Sequence, residues 1–508
     1  MAASAPPIRL SPLERLMPRT YVRQFFCFPT TDPQAIDTLS RGVSGLARDV
    51  PYVLSRVVSN ESGNTISAPC HSAEDVFSRH DLSNSIDYAT LKAGHFAPDA
   101  FLADGLIPPD TVPPYPASPA VFLARASLVK GGLILCVAVH HIVTDITGFG
   151  ALLKIWASHC REGSSRNIGF DANWMNRSPL FSASKSSPIP AHLTSMPSLL
   201  HIRTPEESRR GAGRPQAGAV TAQKSCRTGI FYFPLQHLRA LKDAVNAHVA
   251  AQEPGSWVST GDILASLLWS ATIVAQGNPD ADRTGTYKDT RVSSTLAFPV
   301  QFRSLLRPPL PRDFLGAAFL MTVARVPHED VCLISSCFGT KSVSTAQDQP
   351  AKSEPQGDAE AESPVRSVQI SALAKVALAI RQSVQRIDDA AVRGVLAYLE
   401  TYPVTPNPEA PLVLGPPRCE AGGSCASVVS WADQRVYELD WGDAVGRCDA
   451  VRLAKMMYER DPIVLPHIPG LDGDAGGVEV IMSYEADVMQ TVIEGPVMKR
   501  FAILRCLS

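Results

Sequence analysis

At 508 residues the chain is longer than one hydrophobic core usually supports, which predicts two domains. Its residues are 45 % hydrophobic and 19 % charged, an ordinary globular composition, and the formal net charge is -2. That balance offers no basic footprint for nucleic acid or an anionic membrane, and neither is expected as a partner.

In chain order, residues 1–16 carry prolines and the charges Arg9, Glu14 and Arg15, without the apolar run of a secretory leader. No stretch reaches the roughly 18 apolar residues of a membrane span, so a cytoplasmic location is expected. Residues 120–129 and 133–139 are apolar, β-branched runs separated by Gly131-Gly132. They predict two strands joined by a tight turn, the second deeply buried. Residues 148–160 place Phe149, Leu152, Leu153, Ile155 and Trp156 at helical spacing.

From about 161 to 225 Ser, Pro, Gly and Arg prevail, except for an apolar island at 174–181. This predicts a long crossover that touches the surface in places and separates an N-terminal domain, 1–210, from a C-terminal domain, 226–508. Residues 259–275 predict a capped helix, with Ser259 or Thr260 at its N-cap and Asp262 in the first turn. Residues 339–366 hold almost no large apolar side chain and predict a surface insertion unable to offset its ordering entropy. Residues 370–399 are again helical, interrupted at Asp388-Asp389. Strands and helices alternate in both halves, which predicts a mixed α/β class. The eleven cysteines are dispersed without a CxxC, which reads as reduced thiols, mostly core fillers, rather than a disulfide framework or zinc site.

The buried strand at 133–139 delivers His140-His141 to a strand-to-helix junction, a rigid place from which to aim a reactive group. Histidine is the side chain whose ordinary pKa lets it act as a base near neutral pH. Asp145 follows four residues later, where the chain is still turning, so the spacing alone does not pair the two. Taken alone, a His pair beside an apolar strand is as readily structural as functional. A metal held by His141 and Asp145 would lack a third ligand, and no GxSxG elbow provides a serine nucleophile.

The stretch from His140 to Ala157, HHIVTDITGFGALLKIWA, resembles the signature of the BAHD-type acyltransferase superfamily, in particular its fungal, trichothecene 3-O-acetyltransferase-like branch. Further segments resemble that branch in the same order. They are LSPL through PRTY at 10–21, STGDILASLLW at 259–269 and FRSLLRPPLPRDFLG at 302–316. Ser430-Trp431, Tyr437 and Asp440-Trp441-Gly442 follow, and GGVEV at 476–480 resembles the family's final strand.

The resemblance implies two chloramphenicol-acetyltransferase-like domains, each a mixed β-sheet with flanking helices, and an active-site channel between them. It implies acyl-CoA as co-substrate, acetyl-CoA by family habit, with no bound cofactor or metal. The acceptor would be a small-molecule alcohol of secondary metabolism, and the protein a monomer. Of the candidate catalytic residues His141 and Asp145, the histidine would take the acceptor's proton. The aspartate would point away and pair with Arg303. His140 would be a packed neighbour, Ser430 and Trp431 would supply an oxyanion donor or channel wall, and Asp440 and Gly442 structural support. The chain departs from the family pattern at Ile146, Leu305, Ala317 and Asp443-Ala444. Ile146 stands where a glycine follows the family's aspartate. Condensation-type amide formation and non-catalytic small-molecule binding are the competing readings.

Overall fold

The computed structural model describes residues 8–60, 63–161, 170–181, 201–202, 225–277, 292–339, 367–401, 414–415, 423–455, 460–470 and 476–508. The expected insertion, after its first residue, and most of the expected crossover lie outside them.

The first five-stranded sheet has the order β14-β1-β6-β5-β4. Its members are β1 (Tyr21–Phe28), β4 (Phe77–Asp81), β5 (Phe122–Val129), β6 (Gly132–His140) and β14 (Ala450–Arg452). Strands β5 and β6 form the expected hairpin, with Val129 opposite Gly132 and Gly131 at φ +79°, a left-handed turn conformation that favours glycine. All nine residues of β6 are buried. Its alternate side chains explain why the run lacks a polar face: Leu133, Leu135, Val137 and Val139 enter one core, Ile134 and Cys136 another. The Ile146–Cys160 helix follows and packs on the Ala35–Asp49 helix, where Trp156 Nε1 donates to the Leu39 carbonyl at 2.9 Å.

A second five-stranded sheet has the order β13-β15-β16-β8-β17, and a three-stranded sheet the order β10-β9-β12. The former holds β8 (Cys226–Pro234), β13 (Val429–Ser430), β15 (Arg460–Val464), β16 (Gly477–Glu485) and β17 (Ile503–Leu507). The latter holds β9 (Ser293–Gln301), β10 (Phe319–Pro327) and β12 (Ser424–Ser427), and two short ribbons pair β2 (Val57–Asn60) with β3 (Gly63–Ile66) and β7 (His201–Ile202) with β11 (Leu414–Gly415). The chain passes between them at Val428, because β12 pairs with β9 while β13 pairs with β15. Strand β16 is not the last in the chain: β17 follows and pairs with the opposite edge of β8.

Ser259 caps the Thr260–Gln276 helix in a capping box with Asp262, and Trp269 of that helix is fully buried. The helical run at 370–399 divides into Ser367–Gln385 and Asp389–Thr401. The interruption separates two cores. Leu373, Val376 and Ile380 pack with Trp269, whereas Val392, Val395, Leu396 and Leu399 pack with Trp156 and β6. The first core also takes in Phe302, Leu306, Phe314 and Leu315, so the excursion between β9 and β10 inserts into the core built mainly by residues before 181. The reduced-thiol expectation fails at Cys425, which is disulfide-bonded, while eight other cysteines are free. Tertiary proximity decides such pairing, and dispersed sequence positions do not report it.

Candidate active site

Strand β6 ends at His140, and the next three residues, His141–Val143, form one turn of 3-10 helix before Asp145 caps the Ile146–Cys160 helix. The start of β1 lies alongside, with Tyr21 opposite His140. The backbone N–H of His141 donates to the Thr20 carbonyl at 2.8 Å, which fixes where the imidazole begins. The His141 Nδ1 lies 3.1 Å from the Thr144 carbonyl oxygen. An oxygen acceptor there requires the proton on Nδ1, so Nε2 carries the free lone pair. Burial lowers the pKa of His141, and the Thr144 carbonyl offsets part of that shift. The ring is therefore neutral near pH 7, with a basic nitrogen available.

His140 differs. It is buried, its ring lies edge-on to Tyr21 with centroids 5.2 Å apart, and its Nδ1 accepts from the Ile142 N–H. Burial, with Arg19 and His141 adding to it, pushes its pKa down to about 3. It packs as a neutral neighbour.

Asp145 does not bond to His141. Its carboxylate receives Arg303 in a fork, Nη1 at 2.8 Å and Nη2 at 2.7 Å, together with the Gly148 N–H at 2.9 Å and the Ala318 N–H at 2.8 Å. Burial alone would raise this carboxyl's pKa, but Arg303 and the two backbone donors hold it below the usual value. Arg303 also donates to the Phe314 and Gly316 carbonyls, both at 2.9 Å, and thereby shapes the excursion that carries it.

The tight position in this loop is Gly148 and not residue 146. A Cβ on Gly148 would lie 2.3 Å from Thr144 Oγ1 and 2.5 Å from the Leu315 carbonyl oxygen. Ile146 begins the helix and packs against the first core, so its side chain is accommodated. Leu305 packs on the same core, and the Ala317 N–H donates to Glu14.

The remaining sequence candidates lie elsewhere. Asp440 Oδ1 accepts from the Gly442 N–H, and Gly442, at φ +84°, leaves no room for a Cβ beside the Cys160 carbonyl. That is the far end of the Ile146–Cys160 helix, about 20 Å from Asp145 at 1.5 Å per residue. Trp441 packs there edge-on against Trp156. Ser430 ends β13, and its Oγ accepts from the Ala432 N–H. Trp431 packs with Ile230, Leu453, Leu465 and Ile481, and its backbone N–H donates to the Val464 carbonyl. This stretch is tied to β1 by the reciprocal amide pair of Gln434 and Gln24. Among the described residues neither Ser430 nor Trp431 hydrogen-bonds to His141. A cavity of about 240 Å³ lies near Ala271, Ser335, Glu494 and Val497, and no candidate site residue lines it.

Sequence reasoning missed one group entirely. Arg177 and Glu14, both buried, form a second ion pair at 2.9 Å beneath the histidine loop. The signal available was an arginine inside the apolar island at 174–181, where only a paired charge is tolerated.

Residues 20–160 match the trichothecene 3-O-acetyltransferase-like N-terminal domain. The chain is 23 % identical over 523 residues to the O-acetyltransferase ptmV of Penicillium ochrochloron, covering 97 % of this chain and 96 % of the relative. It is 24 % identical over 493 residues to the O-acetyltransferase astG of Aspergillus oryzae, covering 91 % and 94 %. The crystal structure of F. graminearum TRI101 complexed with coenzyme A and T-2 mycotoxin superposes with a TM-score of 0.70 at 17 % identity, covering 99 % of this chain and all of that one. The chain resembles the BAHD-type fungal acyltransferases in sequence and in fold. The fold shared with TRI101 supplies the frame, and the His141 loop and the Arg303 excursion meet in the first core. No helix among the described residues is long and apolar enough to cross a membrane.

Proposed function

We propose that the chain is a CoA-dependent O-acyltransferase that acylates a hydroxyl of a small-molecule secondary metabolite, with His141 as general base. The observation that carries this reading is the 3.1 Å approach of His141 Nδ1 to the Thr144 carbonyl oxygen. The carbonyl accepts from Nδ1–H, so Nε2 is left as the basic nitrogen of a partly buried residue. In the reaction Nε2 takes the acceptor hydroxyl proton as the oxygen attacks the thioester carbonyl carbon. The C–S bond then breaks, and the departing CoA thiolate recovers the proton from the imidazolium. General-base assistance of this kind contributes about 10²–10⁴-fold. Asp145 and Arg303 act on the loop and take no proton.

The relatives named O-acetyltransferases and the coenzyme A in the TRI101 complex support acyl-CoA as co-substrate. Acetyl-CoA is the first donor to test. Purified protein incubated with a panel of acyl-CoAs and a fungal metabolite extract should give a mass shift of one acyl group on a hydroxylated product. His141→Ala should abolish that shift while leaving the fold intact by circular dichroism. Undiminished transfer by the variant would remove His141 from the mechanism, and no transfer from any acyl-CoA by the wild-type protein would sink the reading.

A further inference from the structure

We propose that Arg177, held by Glu14, is a positioning residue that fixes the tautomer and aim of His141. The loop from His141 to Asp145 has three tethers. The first is the Thr20 carbonyl on the His141 N–H, and the third is Arg303 on the Asp145 carboxylate. The second lies between them: Arg177 Nη2 donates to the Val143 carbonyl at 3.0 Å. That carbonyl belongs to the peptide immediately before Thr144, whose own carbonyl holds His141 Nδ1–H. A change in the Thr144 φ angle, which this tether opposes by fixing the preceding peptide, would swing the Thr144 carbonyl away and release the ring.

Arg177 can hold this peptide because Glu14 holds Arg177. The Nε of Arg177 lies 3.0 and 2.9 Å from the two Glu14 carboxylate oxygens, and its Nη1 donates to the Met175 carbonyl at 3.2 Å. Glu14 in turn accepts from the Ser11 N–H at 2.7 Å and the Ala317 N–H at 3.2 Å. Ala317 adjoins Ala318, whose N–H donates to Asp145. The two buried ion pairs therefore grip consecutive residues of the Arg303 excursion on one side and the histidine loop on the other. The planar guanidinium fork serves the carboxylate and the carbonyl at once, which a lysine ammonium on a flexible stem does not reproduce.

The kinetic arm of the test rests on the acyltransferase reading; the spectroscopic arm does not. In ¹⁵N-histidine NMR spectra, with the His141→Ala variant assigning the signals, wild-type His141 should show the Nδ1–H tautomer. Arg177→Lys keeps a cation opposite Glu14, and Glu14→Gln keeps the shape of its partner. Both should show a mixed tautomer and a His141 pKa lower than wild type, because the carbonyl that favours the protonated ring is lost. With an acyl acceptor in hand, both variants should lose about 10- to 100-fold in kcat, the cost of a misaimed group, with KM for acyl-CoA nearly unchanged. Wild-type tautomer and pKa in both variants would overturn the proposal. So would a kcat loss no larger than the loss of folded protein measured by circular dichroism. Should wild-type protein transfer no acyl group, the imidazole spectra still decide the question.

Discussion

At the scale of single residues, the site depends on two side chains kept in opposite charge states. His141 is neutral and Asp145 is ionised, and burial acts on both, but only Asp145 has a cation against it. Because burial lowers the His141 pKa beneath the ordinary value of about 6.5, its base form persists below that pH. The acid limb of kcat/KM should therefore fall below pH 6.5, with activity high above it and lost as pH drops through the lowered pKa. A pH–rate profile over acetate, MES and HEPES buffers checks this, and a limb above 6.5 would contradict it. Asp145→Ala leaves Arg303 buried without its counter-charge and should cost about 3–5 kcal/mol of stability, measured by urea unfolding. The HxxxD spacing was visible in the sequence, and the family resemblance supplied Arg303 as the partner. The Thr144 carbonyl that selects the tautomer was not visible, because a backbone acceptor leaves no mark on residue identity.

At the scale of elements, the junction from β6 to the Ile146–Cys160 helix decides where the histidine stands. Asp145 is both the N-cap of that helix and the partner of Arg303, so one carboxylate ends the loop and docks the excursion between β9 and β10. Gly148 lets the first turn of the helix lie against Leu315 of that excursion. Gly148→Ala should cost about 1–3 kcal/mol in urea unfolding, since backbone at Leu315 cannot yield as a side chain tip would. A wild-type midpoint would show that the helix shifts freely. The hairpin, the helix and the Ser259 cap were legible from periodicity and capping residues, because those signals are local. The division of the 370–399 run was legible as an interruption, but not its consequence, that the two helices serve different cores.

At the scale of the whole molecule, the sheets are joined by a buried ion pair between strands of different sheets. Arg452 of β14 meets Glu479 of β16, with Nη1 2.6 Å from Oε2. Its guanidinium also donates to the His95 and Phe96 carbonyls. Replacing either partner alone, Arg452→Met or Glu479→Leu, should destabilise by about 3–5 kcal/mol, and the double variant should recover much of that loss because no charge is stranded. Chemical unfolding of the three variants tests this, and additive losses would show that the pair is not coupled.

The sequence by itself determined the local elements, the α/β class and the place of the histidine, because strand period, helix period and capping act over a few residues. It also determined, through motifs in their order, the kind of fold. Only the tertiary structure decided that Arg177 reaches Val143, that Glu14 holds Arg177 and that Arg452 joins the sheets. In the second of these, Glu14 and Arg177 stand 163 positions apart. A buried charge must find its partner in space, and the chain's order says that a partner is required without saying which one the fold brings near.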